Sequence, residues 1–367
     1  MPTSALPPCD ARLTLRVERA LLRRILKKVS RSFYLSLIVL PEAVRQQVSL
    51  AYLFCRIADT IADTRILPQH SRLQALGIFR EQFLAAAASF TSLERLQAML
   101  LPHQVGEGEQ QLFHHLTDCF HIFTRLSNTD QQLVRELVLT LTQGMEMDLR
   151  CFPGETAITA HALPDLRSLD LYTYYVAGVV GEFWTKMHVA HLSAWRHCAL
   201  QALQPLGIHF GQGLQMTNIL KDLGKDLHNG RCYLPQEQLE QLQVRVTELC
   251  QPASLECIRP LLIKLIWYTL DHLDRACDYI LRLPHRPWRA RLSCMWPLLF
   301  AIQTLNVVCR SEELLQPDAR VKISRFAVYR TIFLSLWCLI SPYLFVKYYQ
   351  HLRRRLTTTL YYYALRP

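Results

Sequence analysis

YLFCRIADTIAD, which runs from Tyr52 to Asp63, combines an apolar helical pattern with three charged side chains. Asp59 and Asp63 are four residues apart, so a helix places both carboxylates on one face, one turn apart. The residues on either side of the pair are apolar, and buried like charges repel each other unless a cation holds them. The stretch therefore indicates a cation site or, if this helix face is exposed, an ordinary acidic surface.

A second stretch, QMTNILKDLGKDLHNGRCYLP, repeats the spacing with Asp222 and Asp226. Gln215 and Asn218 precede Asp222 by seven and four residues, which places the three side chains on one helix face. Carboxylate and amide oxygens suit Mg²⁺, which binds through one or two carboxylates together with substrate phosphate oxygens. Two such helices facing each other could hold Mg²⁺ ions whose coordination a diphosphate completes. Five basic residues would offset the remaining negative charge: Arg31, Arg56, Lys221, Lys225 and Arg231.

Such a site suggests the chemistry of an allylic diphosphate. Metal ions neutralise the charge that develops on a departing diphosphate, and its departure leaves a carbocation that must be kept from water. Tyr172 opens YTYYVAGVVGEF, where Ala177, Gly178 and Gly181 would let another helix or a ligand approach closely. Asp148 could edge the pocket or cap a turn. The aromatic candidates for the pocket, each with ordinary core packing as the alternative, are Phe33, Tyr34, Tyr52, Phe54, Tyr172, Tyr175, Phe183 and Trp184.

The composition predicts an all-α protein. Half of the 367 residues are hydrophobic, only 12 are glycine, and no segment alternates with a period of two. The net charge of +11 favours an anionic partner, but the chain has no nucleic-acid-binding motif, so we expect no nucleic acid partner. The 12 cysteines form no Cys-x-x-Cys pair, which indicates free thiols in a reducing compartment. The N-terminus lacks the apolar core of a secretory signal, so we do not expect secretion.

The pattern along the chain divides it into three parts. Residues 1–12 are predicted as a flexible N-terminal lead, 13–318 as one all-helical catalytic domain, and 319–367 as a basic-flanked hydrophobic C-terminal segment. Within the last part, TIFLSLWCLISPYLFV (331–346) carries no charge but is shorter than the roughly 20 residues of a simple bilayer span. It is either a membrane anchor or interfacial helix, or a buried terminal helix. Its basic flanks favour anionic lipid, so we expect the protein on the cytoplasmic side of a membrane.

Four stretches in order resemble the squalene/phytoene synthase family over roughly residues 29–304. They are SRSF (Ser30–Phe33), YLFCRIADTIAD, YTYYVAGVVGE (Tyr172–Glu182) and LQMTNILKDLGKDLHNGRCYLP (Leu214–Pro235). The resemblance implies an all-α, single-domain isoprenoid-synthase helical bundle around a central cavity, with a C-terminal hydrophobic helix added. It also implies head-to-head joining of two prenyl diphosphates through a cyclopropylcarbinyl diphosphate.

The resemblance further implies roles for individual residues. It makes Asp59 and Asp63 the first metal-binding pair, Asp222 and Asp226 the second, and Asn218 a further metal ligand. Tyr172 is implied as a catalytic tyrosine beside the reacting carbons and the departing diphosphate. Lys221 departs from the arginine usual in the family, and a lysine keeps the charge but loses the bidentate fork. The implied substrate-binding residues are Ser30, Arg31, Phe33, Tyr52, Arg56, Gln215, Asn218, Lys221 and Arg231.

Two features favour squalene as the product. YTYYVAGVVG is closer to squalene synthases than to phytoene synthases, and RVKISRFAVYR (Arg320–Arg330) resembles their segment near the NADPH phosphates, although Ser324 departs from it. We therefore expect a monomeric enzyme that joins two farnesyl diphosphates with Mg²⁺ and reduces presqualene diphosphate with NADPH. The alternatives are a phytoene or dehydrosqualene synthase without reduction, a class I terpene cyclase, and a non-catalytic relative that acts as a membrane-associated assembly protein. The cofactor-binding candidates are Arg31, Arg56, Lys221, Lys322 and Arg325.

Overall fold

Helices make up nearly all of the regular structure in the computed structural model, which describes residues 18, 20–30, 33–85, 88–104, 106–251 and 253–365. The predicted N-terminal lead and Arg31 lie outside these residues. The predicted all-α class is confirmed. The described residues divide into two compact units, one within residues 1–37 and 45–139, the other within residues 38–44 and 140–367.

The first unit contains the helix that carries the first aspartate pair. Pro41 immediately precedes this helix, where its missing N–H and fixed φ fit a helix start. Phe54 lies at the centre of this unit's core, with its ring 4.9–6.4 Å from those of Phe79, Phe83, Phe120 and Phe123. The α-helices are α1 (Leu26–Val29), α2 (Tyr34–Ile38), α3 (Glu42–Asp63), α4 (Gln69–Leu84), α5 (Phe90–Leu100), α6 (Glu107–His114), α7 (Leu116–Thr124) and α8 (Asn128–Cys151). The last residue of α2, the first three of α3 and the second half of α8 belong to the second unit.

The second unit is built around one long helix, α11, which packs against its neighbours α10, α14 and α15. A π-helical turn, Tyr174–Gly178, joins α9 to α10. Two short strands, β1 (His161–Leu163) and β2 (Arg231–Pro235), pair in parallel. The helices are α9 (Leu166–Thr173), α10 (Val179–His191), α11 (Leu200–Lys221), α12 (Leu223–His228), α13 (Gln236–Gln241), α14 (Ser254–Arg282), α15 (Trp288–Arg310), α16 (Arg325–Ile340) and α17 (Pro342–Ala364).

The small residues of YTYYVAGVVGEF allow a close helix contact, as predicted. A Cβ atom on Gly181 would lie 1.8 Å from the carbonyl oxygen of Gly207 on α11. A Cβ atom on Gly211 would lie 2.0 Å from the carbonyl oxygen of Ala177. No real side chain tolerates such distances, so the glycines set how closely α10 and α11 approach.

The uncharged run 331–346 is divided between two helices. α16 ends at Ile340, Ser341 is extended, and Pro342 starts α17. Among the described helices, α15 alone is long and apolar enough to cross a membrane, and 72% of its most apolar window is buried inside the protein. That burial is typical of a core helix.

α16 buries two polar side chains and exposes large apolar ones, which is the reverse of the usual distribution. Thr331 and Ser335 are buried and accept hydrogen bonds from Gln303 Nε2 and Trp296 Nε1 of α15, each at 2.9 Å. Large apolar side chains point outward instead, between 49% and 73% exposed. Their spacing of three and four residues places them on one face, which we call the α16 stripe: Phe326, Tyr329, Phe333, Leu336, Trp337 and Ile340.

Candidate active-site clusters

The first aspartate pair lies in the last two turns of α3 and is partly neutralised by an arginine. Arg56 donates to Asp59 from Nη1, and to Glu109 of α6 from Nη2 at 2.6 Å. Burial alone would lower the pKa of Arg56, but Asp59 and Glu109 together raise it above its usual value. The Asp59 side chain is 38% exposed and Asp63 is exposed, so both carboxylates can reach solvent or a ligand.

The predicted substrate-binding residues Ser30 and Tyr52 lie near the end of α1. The Tyr52 hydroxyl donates to the carbonyl oxygen of Val29 at 3.3 Å. Ser30 is 1% exposed, and its Oγ has no hydrogen-bond partner among the residues that the structure describes. A buried hydroxyl without a partner costs about 1–3 kcal/mol, which a polar ligand would offset. Phe33, the next described residue, is exposed and therefore open to contact.

The second aspartate pair spans the junction of α11 and α12. Asp222 interrupts the helix, yet its N–H still bonds to Asn218 O and the N–H of Asp226 to Asp222 O, both at 2.9 Å. The four-residue helical spacing that the sequence predicts is therefore kept. Lys221 Nζ lies 3.2 Å from Asp222 Oδ2 and 3.5 Å from Asn218 Oδ1. Gln215 lies on α11, two turns before Asp222.

Asp226 is a buried carboxyl group with a second carboxylate close by. Burial raises its pKa to about 7, and Asp222 and Asp148 add to the shift while Arg231 opposes it. Carboxylates that repel each other are suitable ligands for a divalent cation, which would offset their charge. Within the described part of the chain, no group of three or more His, Cys, Asp or Glu side chains is close enough to hold a metal ion by itself. The site built from both pairs stays a prediction.

A buried hydrogen-bonded chain joins three residues of the second unit. The Tyr172 hydroxyl donates to the Tyr233 hydroxyl at 3.2 Å, and Tyr233 donates to Asp148 Oδ1 at 2.5 Å. The two tyrosine rings stack with their centroids 4.9 Å apart. Arg231 Nε lies 3.1 Å from the other oxygen of Asp148. Together with Asp226, these residues form what we call the Tyr172 cluster.

Strand β2 supplies two of its members because alternate residues of a strand share one side. Arg231 and Tyr233 are two positions apart and both reach Asp148, at the end of α8. The Asn229-Gly230 turn leads into the strand, and Gly230 has a φ of +80°, a conformation that favours glycine. A Cβ atom there would lie 2.3 Å from the carbonyl oxygen of Gly154.

Both tyrosines of the cluster stay neutral. Burial raises the pKa of Tyr172 and of Tyr233 well above the usual value, and the charge of Asp148 adds to the shift. Each hydroxyl therefore keeps its proton and can donate a hydrogen bond.

Sequence reasoning did not single out Tyr233, although it lies in a quoted stretch. The Arg-x-Tyr alternation after the Asn-Gly turn is the sequence signal that could have identified it, because it predicts a strand with both side chains on one side. The sequence left two roles open for Asp148, at the edge of the pocket or as the cap of a turn. In the structure it accepts the hydrogen bond at the end of the hydrogen-bonded chain. Phe54, weighed as a pocket aromatic, lies in the phenylalanine core of the first unit.

The predicted NADPH-contacting residues Lys322 and Arg325 are exposed. Neither takes part in an ion pair that the structure forms among its described residues, so both charges fit the phosphates of such a cofactor. Ser324 between them caps α16, since its Oγ accepts from the N–H of Ala327 at 3.1 Å.

Known proteins are similar to this chain in sequence and in fold. The squalene/phytoene synthase family profile matches residues 26–327. The chain is 25% identical to squalene synthase of Saccharomyces cerevisiae over 302 residues, which cover 81% of this chain and 63% of that protein. It is 33% identical to presqualene diphosphate synthase of Zymomonas mobilis over 211 residues, 58% of each chain. The match thus spans less than two thirds of either relative's length.

The fold is similar to that of TcSQS in complex with the ligand E5700. The TM-score is 0.70 at 21% identity, and the superposition covers 95% of this chain and 99% of that one. This similarity supports the isoprenoid-synthase fold that the sequence predicts.

Proposed function

The chain belongs to the squalene/phytoene synthase family, and from this we propose that it joins two farnesyl diphosphates head to head through presqualene diphosphate. We propose further that it reduces this intermediate to squalene with NADPH. The observation that carries the proposal is the Tyr172 cluster, in which a neutral hydroxyl is fixed by a buried hydrogen-bonded chain beside Arg231 and Asp226.

The residues that would hold Mg²⁺ are Asp59, Asp63, Asn218, Asp222 and Asp226. When bound, the metal would neutralise the charge that develops on the departing diphosphate. The chain's own cations support the same task, because Arg56, Lys221 and Arg231 each lie against a carboxylate of these groups or of Asp148. The Ser30 hydroxyl would donate to a diphosphate oxygen and gain the hydrogen-bond partner that it otherwise lacks.

Tyr172 would orient the reacting carbons. Its hydroxyl proton points along the hydrogen-bonded chain toward Tyr233, so its oxygen lone pairs are directed at what lies on the other side. An oxygen lone pair beside a carbocation stabilises positive charge without the full negative charge that would capture the cation. Tyr233 and Asp148 act through Tyr172 and are positioning residues.

For the reduction step, Lys322 and Arg325 are proposed to bind the NADPH phosphates together with Arg31, Arg56 and Lys221. This proposal is supported because Lys322 and Arg325 are exposed and have no carboxylate partner within the described residues. The sequence contains no Gly-x-Gly-x-x-Gly motif, so binding would depend on these side-chain charges.

A second candidate function is release of presqualene diphosphate without reduction. It is favoured by the 33% identity to the Zymomonas mobilis presqualene diphosphate synthase. The two candidates share the first half of the reaction, and they differ in whether NADPH changes the product.

Product analysis with and without NADPH tests the proposal. The purified full chain is incubated with farnesyl diphosphate and Mg²⁺, and C30 products are separated by mass spectrometry. Squalene with NADPH, and presqualene diphosphate or dehydrosqualene without it, is the expected result. Presqualene diphosphate under both conditions would favour the second candidate, and a C40 product from geranylgeranyl diphosphate would favour phytoene synthesis.

The same experiment includes variants. Asp59→Asn should abolish formation of all C30 products, whereas the control Asp271→Asn, at an exposed position of α14, should leave them unchanged. Failure of the wild-type protein to form any C30 product with Mg²⁺ would overturn the proposal.

We also propose that the protein lies on a membrane surface through the α16 stripe. The support is the outward orientation of six large apolar side chains, while Thr331 and Ser335 of α16 are buried. Contiguous exposed apolar surface of this kind marks interaction sites, and aromatic side chains are enriched at membrane interfaces. α16 would lie in the plane of the interface, since its 16 residues are too short to span a bilayer.

A further inference from the structure

A cleft of about 360 Å³ opens between α15, α16 and α17 in the second unit. Its volume falls within the range of small-molecule sites. Parts of its wall are apolar, formed by Ile323 and Phe326, and two arginines, Arg330 and Arg355, also line it. None of its lining residues among those described belongs to the Tyr172 cluster or to the aspartate pairs.

The charge of this cleft is positive and uncompensated. No acidic residue lines it among the described residues, and neither Arg330 nor Arg355 belongs to an ion pair formed within them. Arg330 lies over the ring of Phe326, 6.0 Å from its centroid. Arg353, two positions before Arg355, differs because its Nη2 pairs with Asp274 at 2.8 Å. Two guanidinium groups are thus available to an anion.

Two neutral side chains in the wall of the cleft also have hydrogen-bond donors available. Asn306 Oδ1 accepts from Thr359 at 2.9 Å, so the amide N–H groups of Asn306 remain to donate. Ser324 Oγ accepts from the N–H of Ala327, so its own hydroxyl hydrogen remains to donate. Four donor groups around an apolar wall suit an acceptor-only group, such as phosphate, that carries a hydrocarbon chain.

The surroundings point to a lipid as the source of that phosphate. Phe326 belongs both to the cleft wall and to the α16 stripe, so the cleft opens at one end of the surface that we propose to face a membrane. Residues 319–367 contain nine basic residues and no acidic one. Basic segments and pockets at a membrane surface bind anionic headgroups.

We propose that the cleft binds the phosphate headgroup of an anionic phospholipid through Arg330 and Arg355, with the start of an acyl chain along Ile323 and Phe326. This inference rests on the proposed membrane association. It adds a specific lipid site to what would otherwise be a general attraction between a basic segment and an acidic surface.

Calorimetric titration of the full chain with soluble short-chain phosphatidic acid tests the site without a membrane. Charge-assisted hydrogen bonds to phosphate predict that Arg355→Gln and Arg330→Gln each raise Kd by about tenfold or more. Arg354→Gln is the matched control, because Arg354 is the exposed neighbour of Arg355 on α17 and lies outside the cleft. It removes the same charge and should change Kd by less than about twofold. Equal losses for Arg354→Gln and Arg355→Gln would overturn the site.

Two further ligands identify the chemistry. Inorganic phosphate lacks the hydrocarbon chain and should bind at least about tenfold more weakly than phosphatidic acid. Short-chain phosphatidylcholine carries a choline cation and should also bind more weakly, since the cleft is positive. Equal affinity for inorganic phosphate would overturn the lipid assignment and identify a free-phosphate site instead.

Vesicle sedimentation separates this inference from the membrane proposal. Trp337→Asp should lower binding to phosphatidic acid vesicles but leave the affinity for the soluble lipid unchanged. Wild-type protein that binds the soluble lipid through Arg355 yet does not bind vesicles would refute the membrane association and support the cleft. Vesicle binding without any binding of the soluble lipid would refute the cleft alone.

Discussion

The hydroxyl of Tyr172 donates a hydrogen bond to the hydroxyl of Tyr233 at 3.2 Å, across 61 positions of sequence. Tyr233 in turn donates a hydrogen bond to the buried carboxylate of Asp148. The carboxylate thereby fixes which way the Tyr172 proton points, because it takes the only hydroxyl proton of Tyr233 and leaves the Tyr233 oxygen as the acceptor for Tyr172.

We expect Tyr233→Phe to lower kcat by roughly tenfold to a hundredfold with little change in KM, because Tyr172 would lose its acceptor and its fixed orientation. The ring stack would remain. Steady-state turnover of farnesyl diphosphate and thermal unfolding measure the two effects. Tyr279→Phe is the control, since it removes another buried tyrosine hydroxyl, bonded to Thr185 at 2.9 Å, outside the cluster. Wild-type kcat in Tyr233→Phe would refute the positioning role.

Asp226→Asn should reduce turnover by at least about a hundredfold, because loss of a metal-binding charge removes several kcal/mol of transition-state stabilisation. The folded protein should not lose stability, since burial already disfavours the charged form of Asp226. Turnover is followed as a function of Mg²⁺ concentration, and the melting temperature is measured without metal. Asp271→Asn again provides the surface control. A variant with unchanged turnover at all Mg²⁺ concentrations would rule out Asp226 as a ligand.

Ser30→Ala should raise KM for farnesyl diphosphate by about tenfold, which corresponds to one lost hydrogen bond to a charged group. The melting temperature should be unchanged or higher, because the buried Oγ has no partner among the described residues. Ser293→Ala gives the opposite pattern as a control, since the Oγ of Ser293 bonds to Ala290 O at 2.8 Å. A clear loss of stability in Ser30→Ala with unchanged KM would assign Ser30 a structural role only.

The stability of the second unit should fall as the solution is acidified below pH 6.5. Burial lowers the pKa of His188 to about 4 from its usual 6.5, so the unfolded chain binds more protons between these values. Linkage predicts a loss of about 2 kcal/mol in the free energy of unfolding at pH 5 from this residue alone.

Denaturant unfolding of wild type and His188→Asn at pH 7 and pH 5 measures this contribution. Between pH 7 and pH 5, the free energy of unfolding of His188→Asn should fall by about 2 kcal/mol less than that of wild type. His197→Asn, at an exposed position, should behave like wild type. The same pH dependence in wild type and His188→Asn would show that this histidine does not control it.

Trp337→Asp and Phe333→Asp should each reduce co-sedimentation with anionic vesicles, because a charge on the α16 stripe opposes insertion into the interface. The folded protein should tolerate both changes, since the two side chains are 55% and 61% exposed. Circular dichroism checks the fold. Thr358→Asp on an exposed position of α17 controls for the added charge alone. Equal binding by the stripe variants and wild type would exclude α16 as the contact surface.

Several features of the fold could be predicted because they depend on local spacing. The i, i+4 aspartates kept their helical relation even where Asp222 breaks the helix, since the backbone bonds from Asp222 to Asn218 and from Asp226 to Asp222 both form. The small residues of YTYYVAGVVGEF indicated a close helix contact because only residues without long side chains permit one. The match to the family over residues 26–327 agrees with the four ordered stretches.

Other features depended on which residues meet after folding. The sequence by itself determined the helices, the spacing of the aspartates and the family, since these follow from local periodicity and from residue order. Only the tertiary structure decided that Asp148 accepts a hydrogen bond from Tyr233, 85 positions away, and that the apolar face of α16 points outward. The physical reason is that helix geometry fixes neighbours three and four residues apart, whereas contacts between distant segments depend on how whole helices pack.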